Sequence, residues 1–244
     1  MNCNRVIILS GYDYSESFKH LSDFEYSVII PKNEPLLDEG ARERLSSVLG
    51  GKLTELNYQD VEQHVLAERP DILITFGWRR IVSSNIINSA KYAINVHPAI
   101  LPEYKGYHPV PHVLINNESH HGVTAHIITD ALDAGDIVHI EKFEISKFST
   151  LNEIQTQVND IMPQFLVKLF DKVFKGDFTL LPNDDSKTKI VAGKRTPEDS
   201  EIPLDMPIGQ AYDYIRACDE VRFPAFIMIE GKKVILRIEP TSNV

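Results

Sequence analysis

Apolar residues recur along this chain in short, β-branched-rich runs, separated by stretches with helical spacing. Arg5–Leu9 reads as a first strand and Tyr14–Leu21 as a helix. Tyr26–Ile30 reads as a second strand, stopped by Pro31, because proline cannot donate to a ladder. In Asp38–Leu49 the apolar residues Ala41, Leu45, Val48 and Leu49 share one helical face, and Gly50-Gly51 ends it. Leu53–Leu56 is a short strand, and Val61–Glu68 a helix with Asp60 as its cap. Asp71–Phe76, DILITF, is nearly continuous in apolar character, as a parallel strand covered on both faces requires. Tyr92–Val96, Val123–Ile128 and Ile137–Ile145 read as further strands. Thr150–Lys175 is a long amphipathic helix capped by Ser149 or Thr150, with a kink or break expected at Pro163.

This alternation predicts an α/β fold, a Rossmann-like doubly wound and mostly parallel sheet. After Gly176 the texture changes. Pro182–Pro207 is polar and proline-punctuated, Ile208–Cys218 looks helical, and Ala225–Glu230 and Lys233–Glu239 flank Gly231-Lys232 as a β-hairpin. The expected organisation is a main domain over 1–180 and a small C-terminal helix and hairpin appendage over 181–244. The stretch after the first strand, SGYDYSES, has one glycine, so the glycine-rich phosphate cradle of nicotinamide enzymes is missing. No GxxxxGK[ST] loop occurs, which disfavours ATP chemistry.

Composition narrows the reading. The 244 residues suffice for one large domain, or for a main domain with an appendage. No run approaches the ~20 apolar residues of a membrane span. MNCNRVIILSGYDYS, whose apolar run is only Val6–Leu9, reads as a strand rather than a signal peptide. Cys3 and Cys218 have no zinc or CxxC spacing, and two reduced thiols in a cytoplasmic protein are expected. A net charge of -10 argues against a broad nucleic-acid surface, yet leaves room for a small anion held by a few local arginines.

The chemistry concentrates in Ile94–Gly106, INVHPAILPEYKG. Residues at i and i+2 of a strand point to one face, so Asn95 and His97 project side by side at a strand end. An amide donor beside an imidazole can hold a developing oxyanion and move a proton at the same carbon. In the turn LDAGDI, Asp133 can orient the imidazole or take a proton from an attacking amine. No serine or cysteine sits in these motifs as a nucleophile, so the arrangement suits direct transfer, in which the substrate brings its own. Asp130 and Asp136 read as turn chemistry. Seven of the nine histidines lie between His97 and His139, and His108 and His112 have the i, i+4 spacing of a metal pair. No HExxH or cysteine partner accompanies them, so no metal is expected. His126 reads as packing or bracing the site.

The segments INVHPAILPEYKG and GVTAHIITDALDAGDIV together resemble the folate-dependent formyltransferases, whose hallmark is an Asn-x-His-Pro strand end followed by Asp in a D-x-G-D turn. The resemblance covers residues 5–180 at fold level and is sharpest over 94–138. It implies that Asn95 holds the formyl oxygen, that His97 acts as acid/base and oxyanion partner, and that Asp133 orients the pair and handles the amine proton. It implies N10-formyltetrahydrofolate as donor, held near Phe76, Gly77, Trp78, Ile81 and Val82 on one loop and Thr129, Asp130 and Leu132 on another.

The tail resembles the sugar-nucleotide N-formyltransferases: Arg195-Thr196-Pro197-Glu198-Asp199, Ile215-Arg216-Ala217 and Pro224-Ala225-Phe226 match their R-x-P-x-D, I-R-A and P-A-F elements. The implied acceptor is a dTDP-linked amino-dideoxy sugar, dTDP-4-amino-4,6-dideoxyglucose favoured, for surface-polysaccharide (O-antigen) synthesis. Arg79, Arg80, Lys105, Arg195 and Arg216 are candidates for the diphosphate, Trp78, Tyr104 and Tyr107 for stacking on base or sugar, and Gly106 for close approach. A homodimer through the C-terminal region is the family-based expectation. Glycinamide ribonucleotide formylation, hydrolysis of formyltetrahydrofolate, and a catalytically silent binding protein are the competing readings.

Overall fold

The structure, a computed structural model, describes residues 5–21 and 24–239; Cys3 lies outside them. A seven-stranded sheet is ordered β3-β2-β1-β4-β5-β7-β8. Its strands are β1 (Val6–Ser10), β2 (Tyr26–Pro31), β3 (Leu53–Leu56), β4 (Ile72–Phe76), β5 (Tyr92–His97), β7 (His120–Ile127) and β8 (Ile137–Glu144). β1 pairs in parallel with β2 and β4, β2 with β3, and β4 with β5, whereas β7 runs antiparallel to β5. The fold is therefore α/β, as the alternating pattern predicts. β1, β2 and β4 are buried almost throughout, which is why their sequences carry no polar alternation. The strand order reverses between β1 and β4, and in such sheets ligands bind outside the carboxyl ends of the strands near that reversal.

Helices cover the sheet. α1 (Ser15–Phe18) follows β1, and α2 (Glu39–Leu49) buries Ala41, Leu45 and Leu49. The Asp38 side chain accepts from the Ala41 N–H at 2.8 Å, a cap that closes an orphan donor. α3 (Tyr58–Glu68) starts earlier than its apolar pattern suggests, at an Asn57 cap position, so Asp60 is not the cap. Asp60 sits in the first turn, where its carboxylate accepts from Asn57 Nδ2 at 3.0 Å and faces the positive helix end. α4 (Ser84–Ser89) is a short helix capped by Ser83. Pro31 does not stop β2 but is its last residue. α6 (Leu151–Lys175) runs unbroken past Pro163. Ser17 Oγ donates to Pro163 O at 3.2 Å, which ties α1 to that turn of the helix. Thr150 and Glu153 cap it reciprocally, with Thr150 N–H to Glu153 Oε2 at 2.8 Å.

The chain divides into two compact units. The first holds residues 1–97, 123–140 and 161–183, and with them most of the sheet. One part of its core packs Ile7, Leu9, Ile29, Leu73 and Ala93 against Val61, Val65 and Ile86. The second holds 98–122, 141–160 and 184–244. In it β6 (Tyr104–Gly106) pairs in parallel with β9 (Ile190–Ala192), and α5 (Pro109–Ile115), α7 (Ile208–Arg216) and the hairpin β10 (Phe226–Ile229) and β11 (Lys232–Ile235) follow in chain order. Its core gathers Ala99, Tyr104, Val113, Leu114, Ile154 and Ala217. Among the described residues no helix is long and apolar enough to cross a membrane.

A close backbone approach lies at the sheet's reversal. Gly11 N–H donates to Phe76 O at 3.1 Å, and a Cβ on Gly11 would fall 2.0 Å from Gly77 O. Gly77 itself is left-handed (φ +61) against the Tyr12 ring. Gly11→Ala should therefore push the β1 and β4 ends apart and lower stability by about 1–3 kcal/mol, read as a shifted midpoint in urea unfolding.

Candidate active site

The candidate catalytic groups all lie in the first unit, at the carboxyl ends of β4 and β5. Parallel register sets Thr75 beside Asn95, and the antiparallel pair sets Asn95 beside His126 and His97 beside Thr124. Thr75 Oγ1 donates to Asn95 Oδ1 at 2.8 Å. That bond fixes the amide: its oxygen is taken, and its NH2 becomes the donor side. Asn95 Nδ2 faces His126 Nε2 at 3.3 Å. His126 Nδ1 lies 2.9 Å from Ile127 O, and a carbonyl only accepts, so Nδ1 carries a hydrogen.

Asp133 closes the group. Its Oδ2 lies 3.5 Å from His97 Nδ1, and its Oδ1 3.4 Å from His126 Nε2. His97 is 5% exposed and the Asp133 side chain 11%, so water screens these charges weakly. The two neighbours make opposite demands on His126 Nε2. The Asn95 N–H needs a lone pair there, and the Asp133 carboxylate needs a proton. His126 Nε2 therefore stands between an amide donor and a carboxylate, so the four side chains form one connected set. Asp133 adopts φ +47, a left-handed conformation open to Asp but costing about 1 kcal/mol or more, and a residue held there is a pointer to function.

Thus Asn95, His97 and Asp133 do come together, and His126 joins them at their centre. Thr75 carries no sequence signal beyond a polar residue inside an apolar run. An arrangement of amide donor, paired imidazole and carboxylate, with no nucleophilic side chain among them, can stabilise an oxyanion and shuttle a proton around an acyl carbon.

The flanking loops are less uniform. Phe76 is buried, while Ile81 is 91% and Leu132 50% exposed, two apolar side chains left in solvent on the loops that frame Asp133 and the end of β4. Val82 and Trp78 pack on the first unit's core, and Trp78 meets Tyr58 edge-on at 5.0 Å. Asp130 is exposed, and Thr129 Oγ1 donates to Ala131 O at 3.1 Å. Arg79 Nε lies 3.4 Å from buried Glu34, and Arg80 stands over the Tyr58 ring at 5.2 Å. Tyr58 donates to Glu34 at 2.9 Å, and burial with that carboxylate pushes its hydroxyl up to about 12.

Within the second unit three expected ligand residues prove to be structural. Tyr104 is in the core, its hydroxyl donating to Glu118 at 2.6 Å, and burial holds that hydroxyl protonated well above the ordinary range. Lys105 is buried and paired with Asp185. Arg216, 3% exposed, binds Asp213 at 2.8 Å and donates to Ser149 O at 3.1 Å and Leu114 O at 3.2 Å, so it ties α5 and α7 rather than facing a ligand. Gly106 ends β6 in a left-handed conformation against Ala192. Tyr107 stays exposed beneath Lys194, and Arg195 is half-buried, its guanidinium donating to Asp199 O at 2.8 Å. His108 caps α5, its Nδ1 accepting from the Arg195 N–H at 3.3 Å; burial and then Arg195 hold both His108 and His112 below their usual range. Among the described residues no three His, Cys, Asp or Glu side chains converge to hold a metal. The Cys218 thiol is buried and pushed up.

A family model described as formyl transferase matches residues 44–170, just over half of the chain, and that span carries Asn95, His97, His126 and Asp133. The chain belongs to the formyl transferase family. Solved structures share the whole fold. A 4-N formyltransferase from Francisella tularensis is 18% identical with a TM-score of 0.77, each chain covered at 100%. WlaRD, a sugar 3N-formyl transferase solved in the presence of dTDP and 5-N-formyl-THF, is 17% identical with a TM-score of 0.72, covering 96% of this chain and 86% of that one. A methionyl-tRNA formyltransferase from Clostridium thermocellum is 18% identical with a TM-score of 0.67, covering 98% and 93%. At these identities the likeness establishes fold, not acceptor. For this formyl transferase, Thr75→Val should free the Asn95 amide to rotate. An oxyanion donor mispositioned in this way should cost about tenfold in kcat, with the KM values nearly unchanged, in steady-state assays of formyl transfer.

Proposed function

We propose that this enzyme moves a formyl group from N10-formyltetrahydrofolate to the amine of a nucleotide-linked amino-dideoxy sugar, with dTDP-4-amino-4,6-dideoxyglucose the favoured acceptor. The observation that carries the transfer chemistry is the set Asn95, His97 and Asp133, its imidazole buried, with His97 Nδ1 3.5 Å from the carboxylate and no protein nucleophile in it. The neutral sugar amine attacks the formyl carbon with its lone pair, and the carbonyl electrons move onto oxygen. Asn95 Nδ2 and His97 hold that oxyanion. Asp133 takes the proton the attacking nitrogen sheds. Collapse restores the carbonyl and breaks the bond to folate N10, which receives a proton in turn, so no proton is gained or lost overall.

Donor and acceptor are inferred more widely. Exposed Ile81 and Leu132 offer apolar edges to a flat pterin beside the Asp133 turn. WlaRD's structure holds dTDP and 5-N-formyl-THF, which supports the same pair of ligand classes here. A net charge of -10 weighs against tRNA as acceptor, because phosphate backbones need a dense basic surface. With Tyr104, Lys105 and Arg216 engaged internally, Trp78, Arg79 and Arg80 are the first unit's candidates for the nucleotide sugar. Exposed Met228, Ile229, Val234 and Ile235 on the hairpin support a homodimer through the C-terminal region.

Incubation with N10-formyltetrahydrofolate and a panel of dTDP-, UDP- and GDP-linked amino sugars, read by mass, should give a formylated dTDP sugar. Formylation of glycinamide ribonucleotide alone, or folate turnover without any amine, would replace the acceptor assignment. His97→Ala and Asp133→Asn should each lower kcat by about a hundredfold or more while nucleotide-sugar affinity stays near wild type. Full activity in either variant would remove that residue from the mechanism.

A further inference from the structure

The turn that carries Asp133 is not held by its own neighbours alone. Fifty residues further along the chain, Asn183 Nδ2 donates to Asp133 O at 2.9 Å and to Gly135 O at 2.8 Å. Both hydrogens of one buried amide are thus spent on two carbonyls of one turn. Asn183 is itself placed by a backbone bridge two residues earlier: Ile137 N–H donates to Leu181 O at 2.8 Å, and Leu181 N–H to Ile137 O at 2.9 Å. From the other side the turn abuts β7, where a Cβ on Gly135 would fall 2.0 Å from Ile127 O. The left-handed backbone at Asp133 is one that L residues adopt only where the surroundings impose it.

From this geometry we infer that Asn183 is a positioning residue for formyl transfer: the segment Leu181–Asn183 is a strap that locks the 129–136 turn and so sets the Asp133 carboxylate between His97 and His126. The inference rests on the reading of Asp133 as a catalytic group. Asn183 touches none of the reacting groups; it acts through backbone carbonyls, so its loss leaves every catalytic side chain present but lets the turn relax. A misplacement of about 1 Å costs such sites up to a hundredfold in rate. No other side-chain type of similar size offers two parallel N–H donors without a charge, which explains an asparagine at this place.

Two variants test the strap. In Asn183→Ala the amides of 129–136 should exchange with deuterium about tenfold faster, while β1 and β4 keep their protection. Its kcat should fall about tenfold to a hundredfold, with both KM values within about twofold of wild type. Asn183→Ser, which returns one donor, should recover part of both losses; it carries the same readouts should the alanine variant not fold. Wild-type exchange over 129–136, or kcat within about twofold of wild type in folded Asn183→Ala, overturns the inference. If the wild-type protein formylates no acceptor, the catalytic reading of Asp133 fails, and the exchange data still decide whether the strap exists.

Discussion

The site depends on one constraint of register. β4 and β5 end together, and their parallel pairing places Thr75 against Asn95. Because side chains alternate across a strand, that pairing brings the threonine hydroxyl to the amide oxygen, and the antiparallel pairing of β5 with β7 brings His126 to the same amide. A slip of one residue in either ladder would turn Asn95 and His97 to the opposite face and dissolve the arrangement. The β4–β5 and β5–β7 ladders together therefore decide which face the amide, the imidazole and His126 share.

What the sequence disclosed follows the kind of signal each feature leaves. The parallel strands were legible because double burial writes continuous apolar runs. Asn95, His97 and Asp133 were legible because their spacing is tied to a strand end and a turn. α5 was not: its two prolines mask the helical pattern, yet proline at a helix start loses only a donor that has no partner there. Pro163 misled in the other direction, since a long helix with a buried apolar face can carry the lost hydrogen bond that an isolated helix could not.

The charged and polar positions were the hardest to read. Arg216 sits at helical spacing and looks solvated, but three carbonyls and carboxylates surround it in the fold. Tyr104 and Lys105 lie in a short strand whose pairing partner, β9, is over eighty residues away in sequence and leaves almost no periodic trace. Thr75 and Asn183 share that difficulty. Each acts through a single long-range hydrogen-bond pattern, and nothing in residue type or local spacing distinguishes such a residue from an ordinary polar neighbour.

The division of labour that results bears on acceptor choice. In the proposed reaction the groups around Asp133 are mutually bonded and positioned largely by strand register, so they have little freedom to discriminate between amines. In that reading they act on the formyl carbon and a nitrogen that any acceptor presents. Selectivity must then come from residues that the fold does not consume. With Tyr104, Lys105 and Arg216 buried within the second unit, Arg79 and Arg80 after β4 are the exposed cations left among the first unit's candidate ligands. On a chain of net charge -10, a handful of fixed cations is a local exception to a repulsive background. Such a surface favours a compact ligand whose two phosphates are adjacent over a polyanion that needs contacts spread along its length.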